Sequence, residues 1–345
     1  MIFYAGNILS KHGYTPTFIE SLTPKFSEYY SIISVSDKKN QIIRLADMLS
    51  GFLRHKKKIK LVLIDSYSMK AFWFTYALAV LSNLYKIPYI PILRGGGYPE
   101  RLQKSGKLCD YIFNNSAKNI SPSIFLKNHF EKSGYKVDYI PNFIMIRNYE
   151  FRKRSLLKPH LIWVRSFDKT YNPPMAIEVL RILKQTYPGA KLCMIGPDKD
   201  GSLNETFKLA EKYGLTDSVT FTGKKSKSEW TEISKDYDIF INTTDYDNHP
   251  VSVIEAMALG LPVVSTDVGG IPFLINDMHD GLLSKPGNAE EFAMKIEHLI
   301  RDNALAEKLS VNARKKAEEF DWENIKEKWF EVINPFLKRT ENVVS

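Results

Sequence analysis

The chain has 345 residues, 44% of them hydrophobic and 25% charged, so its composition is that of a globular protein with room for two domains. Its two cysteines, Cys109 and Cys193, exclude a disulfide framework and have no metal-ligand spacing, which favours a reducing compartment. The charge is uneven, because residues 1–150 hold 21 Lys and Arg against 10 Asp and Glu, a net +11, whereas the remainder holds 27 against 29, a net −2.

Residues 1–150 alternate short apolar strands with helical stretches, which predicts a Rossmann-like domain. The N-terminal run MIFYAGN has the pattern of a strand, not of a signal peptide. Strands are predicted at Met1–Ala5, Ser31–Val35, Leu61–Ile64, Pro88–Leu93, Tyr111–Asn114 and Val137–Ile140.

Ala71–Leu81 is an apolar, aromatic-rich run that is too short to span a bilayer. It predicts either a helix buried against the sheet or a face that docks on a membrane, and the basic string His55-Lys56-Lys57-Lys58 precedes it. The +11 charge of this half indicates either an anionic partner or a surface that only confers solubility. The anionic partners considered are a membrane surface, a phosphate-linked lipid and an acidic glycan, because no nucleic-acid-binding motif accompanies the charge.

The second half repeats the strand and helix alternation after a linker at about residues 142–158. Strands are predicted at His160–Val164, Lys191–Ile195, Val219–Thr222, Asp238–Asn242 and Leu261–Ser265. Helices are predicted to begin at Pro174, Ser202, Ser226, Ser252, Asn288, Ala304 and Trp322. The domains are therefore placed at 1–150 and 151–321, with a C-terminal helix at 322–345.

The stretch Asp238–Leu283 carries the chemistry. A polar loop leads through Pro250 into the helix Ser252–Gly260, and a strand then ends in the turn Gly269-Gly270. Strand ends and helix starts thus share one edge, where helix N-termini favour a diphosphate. We place Glu255 on the first turn of its helix, where its carboxylate can accept hydrogen bonds from ribose hydroxyls, and Asp247 in the loop, near sugar hydroxyls.

Asp247, seven intervening residues and Glu255, followed by Gly260-Leu261-Pro262-Val263-Val264 and Gly269-Gly270, resemble the E-x7-E signature of the retaining GT-B glycosyltransferases, family 4 in particular. Aspartate replaces the first glutamate of that signature, and Phe273 stands where a later glutamate is common. The resemblance implies an α/β fold of the GT-B type, with two Rossmann-like domains facing across a cleft. It also implies transfer of a hexose from a nucleotide-diphosphate sugar with retention of configuration, without a metal or other cofactor.

The resemblance also implies roles for individual residues. Arg165 and Lys169 neutralise the donor diphosphate, because the leaving group gains charge as the glycosidic bond breaks, and they act with Asp247 in catalysis. The other donor-binding residues are Glu255, Gly269, Gly270, Asn248, His249, Pro250, Val251 and Ser252. The acceptor or cleft residues are Gly13, Arg94, Gly95 and Gly96. A purely structural role for Arg94 stays open, since related enzymes often carry a histidine near its place and none stands here.

The partners expected are a UDP- or GDP-sugar donor, a glycan or lipid-linked acceptor, an anionic membrane surface and no nucleic acid. Such an enzyme would act in cell-envelope polysaccharide or glycolipid synthesis in the cytoplasm, at the periphery of the inner face of the cell membrane. The segment 322–345 is expected to cross back onto the N-terminal domain.

Three rival functions remain. The strings Asp198-Lys199-Asp200, Asp236-Tyr237-Asp238 and Asp245-Tyr246-Asp247 fit a metal-dependent GT-A glycosyltransferase, although a D-x-D string is frequent by chance. A nucleotide-sugar epimerase on the same bilobal fold is the second. A non-catalytic sugar-nucleotide-binding scaffold is the third.

Overall fold

The computed structural model describes residues 1–337 and divides them into two α/β units. Unit 1 comprises Met1–Asn142 together with residues 325–337, and unit 2 comprises Phe143–Asn324. Residues 143–150, predicted as part of the first domain, therefore belong to unit 2. Of the predicted C-terminal segment 322–345, residues 338–345 lie outside the described residues.

Unit 1 is built on a parallel six-stranded sheet of order β2-β1-β3-β4-β5-β6. Its strands are β1 Ile2–Ala5, β2 Ile32–Val35, β3 Leu61–Ser66, β4 Tyr89–Leu93, β5 Ile120–Ser121 and β6 Asp138–Tyr139. Its helices are α1 Phe18–Ser27, α2 Gln41–His55, α3 Phe72–Leu84, α4 Tyr98–Lys104, α5 Gly106–Asn114 and α6 Ile124–Lys132. β1, β3 and β4 are buried along their whole length, as expected for parallel strands covered by helices on both faces.

The strand predicted at Tyr111–Asn114 is wrong, because these residues form the last turn of α5. Cys109, Ile112 and Phe113 are buried, and their spacing of three and four residues is that of one helix face. The strand at this position of the sheet is instead β5, a two-residue element that the sequence pattern did not reveal.

Unit 2 repeats the design with a parallel sheet of order β12-β11-β10-β7-β8-β9. Its strands are β7 His160–Val164, β8 Lys191–Ile195, β9 Val219–Gly223, β10 Ile239–Asn242, β11 Val263–Thr266 and β12 Leu282–Ser284. Its helices are α7 Pro173–Thr186, α8 Ser202–Lys212, α9 Lys227–Ile233, α10 Val251–Ala258, α11 Ala289–Arg301 and α12 Asn303–Glu318. The edge strand β12 was not predicted.

The helix α13, Trp322–Ile333, begins in unit 2 and continues in unit 1. At its start the Trp322 ring lies 4.8 Å from the ring of Phe143. Farther along, the buried Trp329 packs against the rings of Phe26 and Phe18, at 5.6 and 6.4 Å between centroids. Aromatic packing therefore fixes each part of α13 to its own unit.

Each sheet has a point where the strand order reverses. In unit 2, β7 is flanked by β8 on one side and β10 on the other, so the loops that leave β7 and β10 diverge there. Open α/β sheets bind ligands in the crevice beyond the carboxyl ends of the strands at such a point. The loops after β7 and β10 are thus the first place to look for a site in unit 2.

Candidate active site

Arg165 and Asp247 meet at the switch point of unit 2. Arg165 is the first residue after β7 and Asp247 lies in the loop after β10, and the guanidinium Nη2 forms an ion pair with Asp247 Oδ2. Their side chains are only 14% and 12% exposed. Because the pair is largely shielded from water, the attraction between its two charges is stronger than in a surface ion pair.

The Arg165 guanidinium also stacks on Tyr171, with Cζ 4.0 Å from the ring centroid. The positive charge of Arg165 lowers the pKa of the Tyr171 hydroxyl, against the opposing effect of burial. The stacking and the ion pair both restrain the guanidinium. A ligand that binds it therefore has little side-chain conformational entropy to remove.

Backbone packing fixes the position of Arg165. Its N–H donates to the Ile195 carbonyl at the end of β8, at 3.0 Å. A Cβ on Gly196 would lie 1.7 Å from the Arg165 carbonyl oxygen, which only glycine avoids. Across the switch point, the Asp245 N–H donates to the Thr170 carbonyl at 2.9 Å, which ties the β10 loop to the β7 loop.

Lys169 lies apart from this pair. Its Nζ is 3.9 Å from Glu205, and its side chain is 72% exposed. Lys199, not predicted as a donor-binding cation, lies closer to the stacked Arg165 and Tyr171 side chains. Its Nζ is 6.0 Å from the Tyr171 ring centroid and 3.6 Å from Asp168. The string Asp198-Lys199-Asp200 after β8 could have indicated Lys199, but only its two aspartates were considered, as possible metal ligands.

Glu255 is buried in α10, with 4% of the residue exposed. It is the fifth residue of a helix that begins at Val251, so its placement on the first turn was wrong. Its Oε1 accepts a hydrogen bond from Tyr149 Oη at 2.7 Å and pairs with Lys227 Nζ at 2.6 Å. Burial and the charge of Glu255 raise the pKa of Tyr149, so the phenol stays a donor at neutral pH.

The residues that lead into α10 are held by local contacts. Pro250 occupies the N-cap position and makes no side-chain cap, so no side chain of Pro250 competes for the amides of the first turn. The Asn248 N–H donates to Asp247 Oδ1 at 2.8 Å, and the His249 ring packs edge-on against Phe320 at 5.3 Å. The hydrogen bond from Asn248 helps to orient the Asp247 carboxylate.

Ser252 is the predicted donor residue with the clearest open capacity. Its Oγ is buried, and within residues 1–337 no hydrogen bond to it is found. It follows Val251, the first residue of α10, and precedes Glu255 by three residues, so both side chains lie on one helix face. A buried hydroxyl without a partner is rare in folded proteins and is consistent with a ligand contact.

The turn Gly269-Gly270 closes on the backbone of Asp247. The Gly270 N–H, in a residue predicted to bind the donor, donates to the Asp247 carbonyl at 2.7 Å and is therefore already used within the protein. Gly269 has φ of +55°, and a Cβ there would lie 2.3 Å from the same carbonyl oxygen. The glycines therefore position Asp247.

We expect Gly269→Ala to destabilise the protein more than Gly287→Ala. Both glycines have positive φ, +55° and +69°, but a Cβ on Gly287 would meet nothing within 4 Å. The cost of placing alanine at positive φ is therefore common to both variants. The difference between their losses of unfolding free energy, on the order of 1–3 kcal/mol, measures the steric clash of the Gly269 Cβ with Asp247. Urea unfolding of both variants measures it, and equal losses would show that the Gly269 contact with Asp247 is unimportant.

The predicted residues of unit 1 lie in a different environment. The Arg94 side chain is 9% exposed, and its Nε lies 3.6 Å from Asp65 Oδ1. Its Nη1 donates to Asn142 and its Cζ stacks 3.4 Å above the Phe18 ring. Burial raises the pKa of Asp65, and Arg94 opposes that shift. Arg94 is therefore held by Asp65, Asn142 and Phe18, an environment that fits the structural role left open by the sequence.

The glycines of unit 1 serve different backbone requirements. A Cβ on Gly95 would lie 2.3 Å from the Ser68 amide nitrogen, so Gly95 allows two loops to approach closely. Gly96 is the next residue of that loop and is partly exposed. Gly13 has φ of +86° with open space around it, and it ends the single turn Ser10–His12.

Each of the three D-x-D strings has at least one carboxylate with a partner within the protein. Asp198 and Asp200 accept hydrogen bonds from the Gly201 and Lys169 amides, and Asp238 accepts one from Lys158. Asp245 accepts a hydrogen bond from the Asn172 side chain at 3.1 Å. In the part of the chain that the structure describes, no three His, Cys, Asp or Glu residues gather as metal ligands would.

Residues 148–316, which lie within unit 2, match the family model of glycosyl transferases group 1. A segment of 150 residues, 43% of the chain, is 30% identical to the sulfoquinovosyl transferase SQD2 of Arabidopsis thaliana and covers 28% of that protein. A segment of 151 residues, 42% of the chain, is 35% identical to the amylovoran biosynthesis glycosyltransferase AmsK of Erwinia amylovora and covers 36% of it. The chain therefore matches only a minor part of the length of these relatives.

The fold is similar to that of the crystal structure of Anabaena Alr3699/HepE in complex with UDP and glucose. The TM-score is 0.76 at 16% identity, and the match covers 97% of this chain and 99% of that one. This confirms the predicted fold class, α/β of the GT-B type with two Rossmann-like domains.

Proposed function

We propose that this protein transfers a sugar from a nucleotide-diphosphate donor to a glycan or lipid-linked acceptor, and that the donor binds in unit 2. One observation carries the proposal: the largely shielded Arg165–Asp247 pair stands at the switch point of the unit that matches group 1 glycosyltransferases. Both residues were singled out from the sequence pattern, and the fold brings them together from loops that are far apart along the chain.

Arg165 supplies positive charge to the donor diphosphate. The leaving nucleoside diphosphate becomes more negative as the glycosidic bond breaks, and a cation already held in place stabilises that change without reorganising. Lys199 and the exposed Lys169 are the further cations on neighbouring loops. Asp247 restrains Arg165 and presents carboxylate oxygens to the hydroxyls of the transferred sugar.

Glu255 binds the ribose. A carboxylate accepts two hydrogen bonds from a vicinal diol, and Tyr149 holds this one through Oε1. The pair with Lys227 keeps the buried charge compensated until a nucleotide arrives. The hydroxyl of Ser252 and the amides of the first turn of α10 offer further hydrogen bonds to the donor.

The transfer is proposed to retain the anomeric configuration. The acceptor then approaches on the face that the diphosphate leaves, and a diphosphate oxygen held by Arg165 accepts the acceptor's proton. The protein supplies charge and alignment in this scheme. The resemblance of Asp247 and Glu255 to the retaining family is the support for it.

The donor is proposed to be a UDP- or GDP-hexose, and the product a polysaccharide or glycolipid of the cell envelope. AmsK is named as an amylovoran biosynthesis glycosyltransferase and SQD2 as a sulfoquinovosyl transferase, so both names describe a sugar transfer. The HepE structure contains UDP and glucose. We propose a cytoplasmic enzyme at the periphery of the membrane, and no helix within residues 1–337 is long and apolar enough to cross one.

We expect transfer from an α-linked donor to give an α-linked product in the presence of excess EDTA. Arg165 carries out the charge neutralisation that a bound divalent cation performs in GT-A enzymes, so chelation should leave the rate unchanged. NMR of the anomeric coupling in the product, formed with and without EDTA, measures both properties. A β-linked product would refute retention, and activity restored only by Mn²⁺ would refute metal independence.

A further inference from the structure

The helix α3 lacks the polar outer face that a surface helix normally has. Its sequence, FWFTYALAVLSNL, contains no charged residue. Phe72, Phe74, Thr75, Leu78, Ala79 and Ser82 are buried. The apolar outward positions, which recur at helical spacing, are Trp73, Ala77, Val80 and Leu84, and we call them the α3 face; Asn83 is a half-exposed polar neighbour. Helices of this kind usually place polar side chains there.

The exposure of the α3 face is largest at its two ends. Trp73 is 50% exposed and Leu84 is 69% exposed, although both are large apolar side chains. Trp73 also continues into a row of aromatic rings. Its ring lies 5.9 Å from that of Tyr76, which lies 5.7 Å from that of Tyr111 on α5, and both tyrosines are half-buried. An exposed apolar surface that is contiguous in this way usually marks an interaction site.

The chain segments that precede, form and follow α3 are basic in sequence. Residues 48–64 and 66–99 contain no Asp or Glu. Apart from the buried Arg94, the cations in these segments are Arg54, Lys56, Lys57, Lys58, Lys60, Lys70 and Lys86. Lys70 and Lys86 flank α3, and Lys56 Nζ lies 3.1 Å from the Tyr85 hydroxyl just beyond its end.

We infer that unit 1 docks on an anionic lipid surface through the α3 face. Tryptophan and tyrosine with a lysine rim suit the boundary between headgroups and acyl chains, and each lysine near an anionic surface adds attraction. A second copy of the chain fits less well, because a symmetric contact would bring two sets of lysines together. The inference gives the proposed peripheral membrane association its surface and does not depend on donor chemistry.

The test is sedimentation of the full chain with vesicles of phosphatidylcholine, either alone or mixed with phosphatidylglycerol, at low and high salt. We expect binding to the mixed vesicles that weakens with salt, as screening requires. The double variant Trp73→Ser/Leu84→Ser should lower the partition coefficient by about tenfold or more, since it removes exposed apolar area that the bilayer would bury. Lys57→Gln/Lys58→Gln should lower it by about tenfold for anionic vesicles.

Matched controls lie on unit 2, where Phe207 is 42% and Met294 61% exposed. Phe207→Ser/Met294→Ser and Lys208→Gln/Lys212→Gln should bind vesicles as the unchanged protein does. Light scattering and a UDP thermal shift on every variant check association state and folding. If the proposed donor site is absent, UDP will not raise the unfolding temperature of the unchanged protein, but the sedimentation of that protein with vesicles will stay as expected.

Three results would overturn the inference. The first is equal or no binding of the unchanged protein to neutral and anionic vesicles. The second is an equal loss in the unit 2 control variants. The third is a change in oligomeric state, rather than in vesicle binding, when Trp73 and Leu84 are replaced, because that would identify a second copy as the occupant of the α3 face.

Discussion

Replacing Arg165 by alanine is expected to lower kcat/KM for sugar transfer by about 10²–10³-fold, the usual loss when one preorganised group facing developing charge is removed. The loss should fall on both KM and kcat, because the diphosphate already carries negative charge in the bound donor and gains more as the bond breaks. Arg165→Lys should recover part of it, since a lysine retains the charge but loses the stack on Tyr171. Steady-state kinetics with a saturating acceptor provides the measurement.

Arg181→Ala is the matched control, because Arg181 pairs with Glu178 on the exposed side of α7. It should leave kcat/KM unchanged. Asp247→Ala and the double variant Arg165→Ala/Asp247→Ala complete a double-mutant cycle for this ion pair. If Asp247 acts by restraining Arg165, the losses of kcat/KM in the two single variants will be strongly non-additive. An Arg165→Ala variant that folds normally and transfers sugar at the original rate would exclude the proposed role.

Glu255→Ala is expected to raise the dissociation constant for the nucleoside diphosphate by about 10–100-fold, the worth of one or two hydrogen bonds to a charged group. Asp247→Ala should instead act mainly on turnover, because sugar positioning is more selective for the transition state than ribose binding is. Glu255→Gln should lie between, since its amide oxygen can still accept from Tyr149. Calorimetric titration with the nucleotide supplies the constants.

The control for Glu255 is Glu232→Ala, since Glu232 lies on the surface with a 72% exposed side chain paired to Lys235. It should bind nucleotide as the unchanged protein does. The proposed division of roles fails if Glu255→Ala and Asp247→Ala raise the dissociation constant equally and leave kcat unchanged.

Most of the fold could be predicted from the sequence because its strands are short, apolar and regularly spaced. β7 and β8 begin and end where the pattern placed them. The error at Tyr111–Asn114 arose because a run of four residues cannot distinguish a strand from a helix end. The edge strands β5 and β12 were missed because elements of two and three residues leave no periodicity to detect.

The site was predictable where its residues follow one another in the chain, as Asp247 and Glu255 do. The partners that come from distant segments were not: Tyr149 precedes Glu255 by 106 positions, and nothing in either stretch indicates the hydrogen bond between them. Lys227 was missed for the same reason, whereas Lys199 was missed because the string Asp198-Lys199-Asp200 was considered only for its aspartates. Arg94 shows the limit of such patterns. Its glycine-rich loop after a strand suggested an acceptor or cleft residue, but in the fold its side chain packs against Asp65.

The central claim is that unit 2 binds a nucleotide-diphosphate sugar through Arg165 and Glu255. A thermal-shift screen of UDP- and GDP-sugars against the unchanged protein, Arg165→Ala and Glu255→Ala tests it most directly. One donor at about 100 times its dissociation constant should stabilise the unchanged protein by roughly 2.7 kcal/mol, and both variants should lose most of that gain at the same concentration. Equal stabilisation of all three proteins, or no response to any nucleotide sugar, would contradict it.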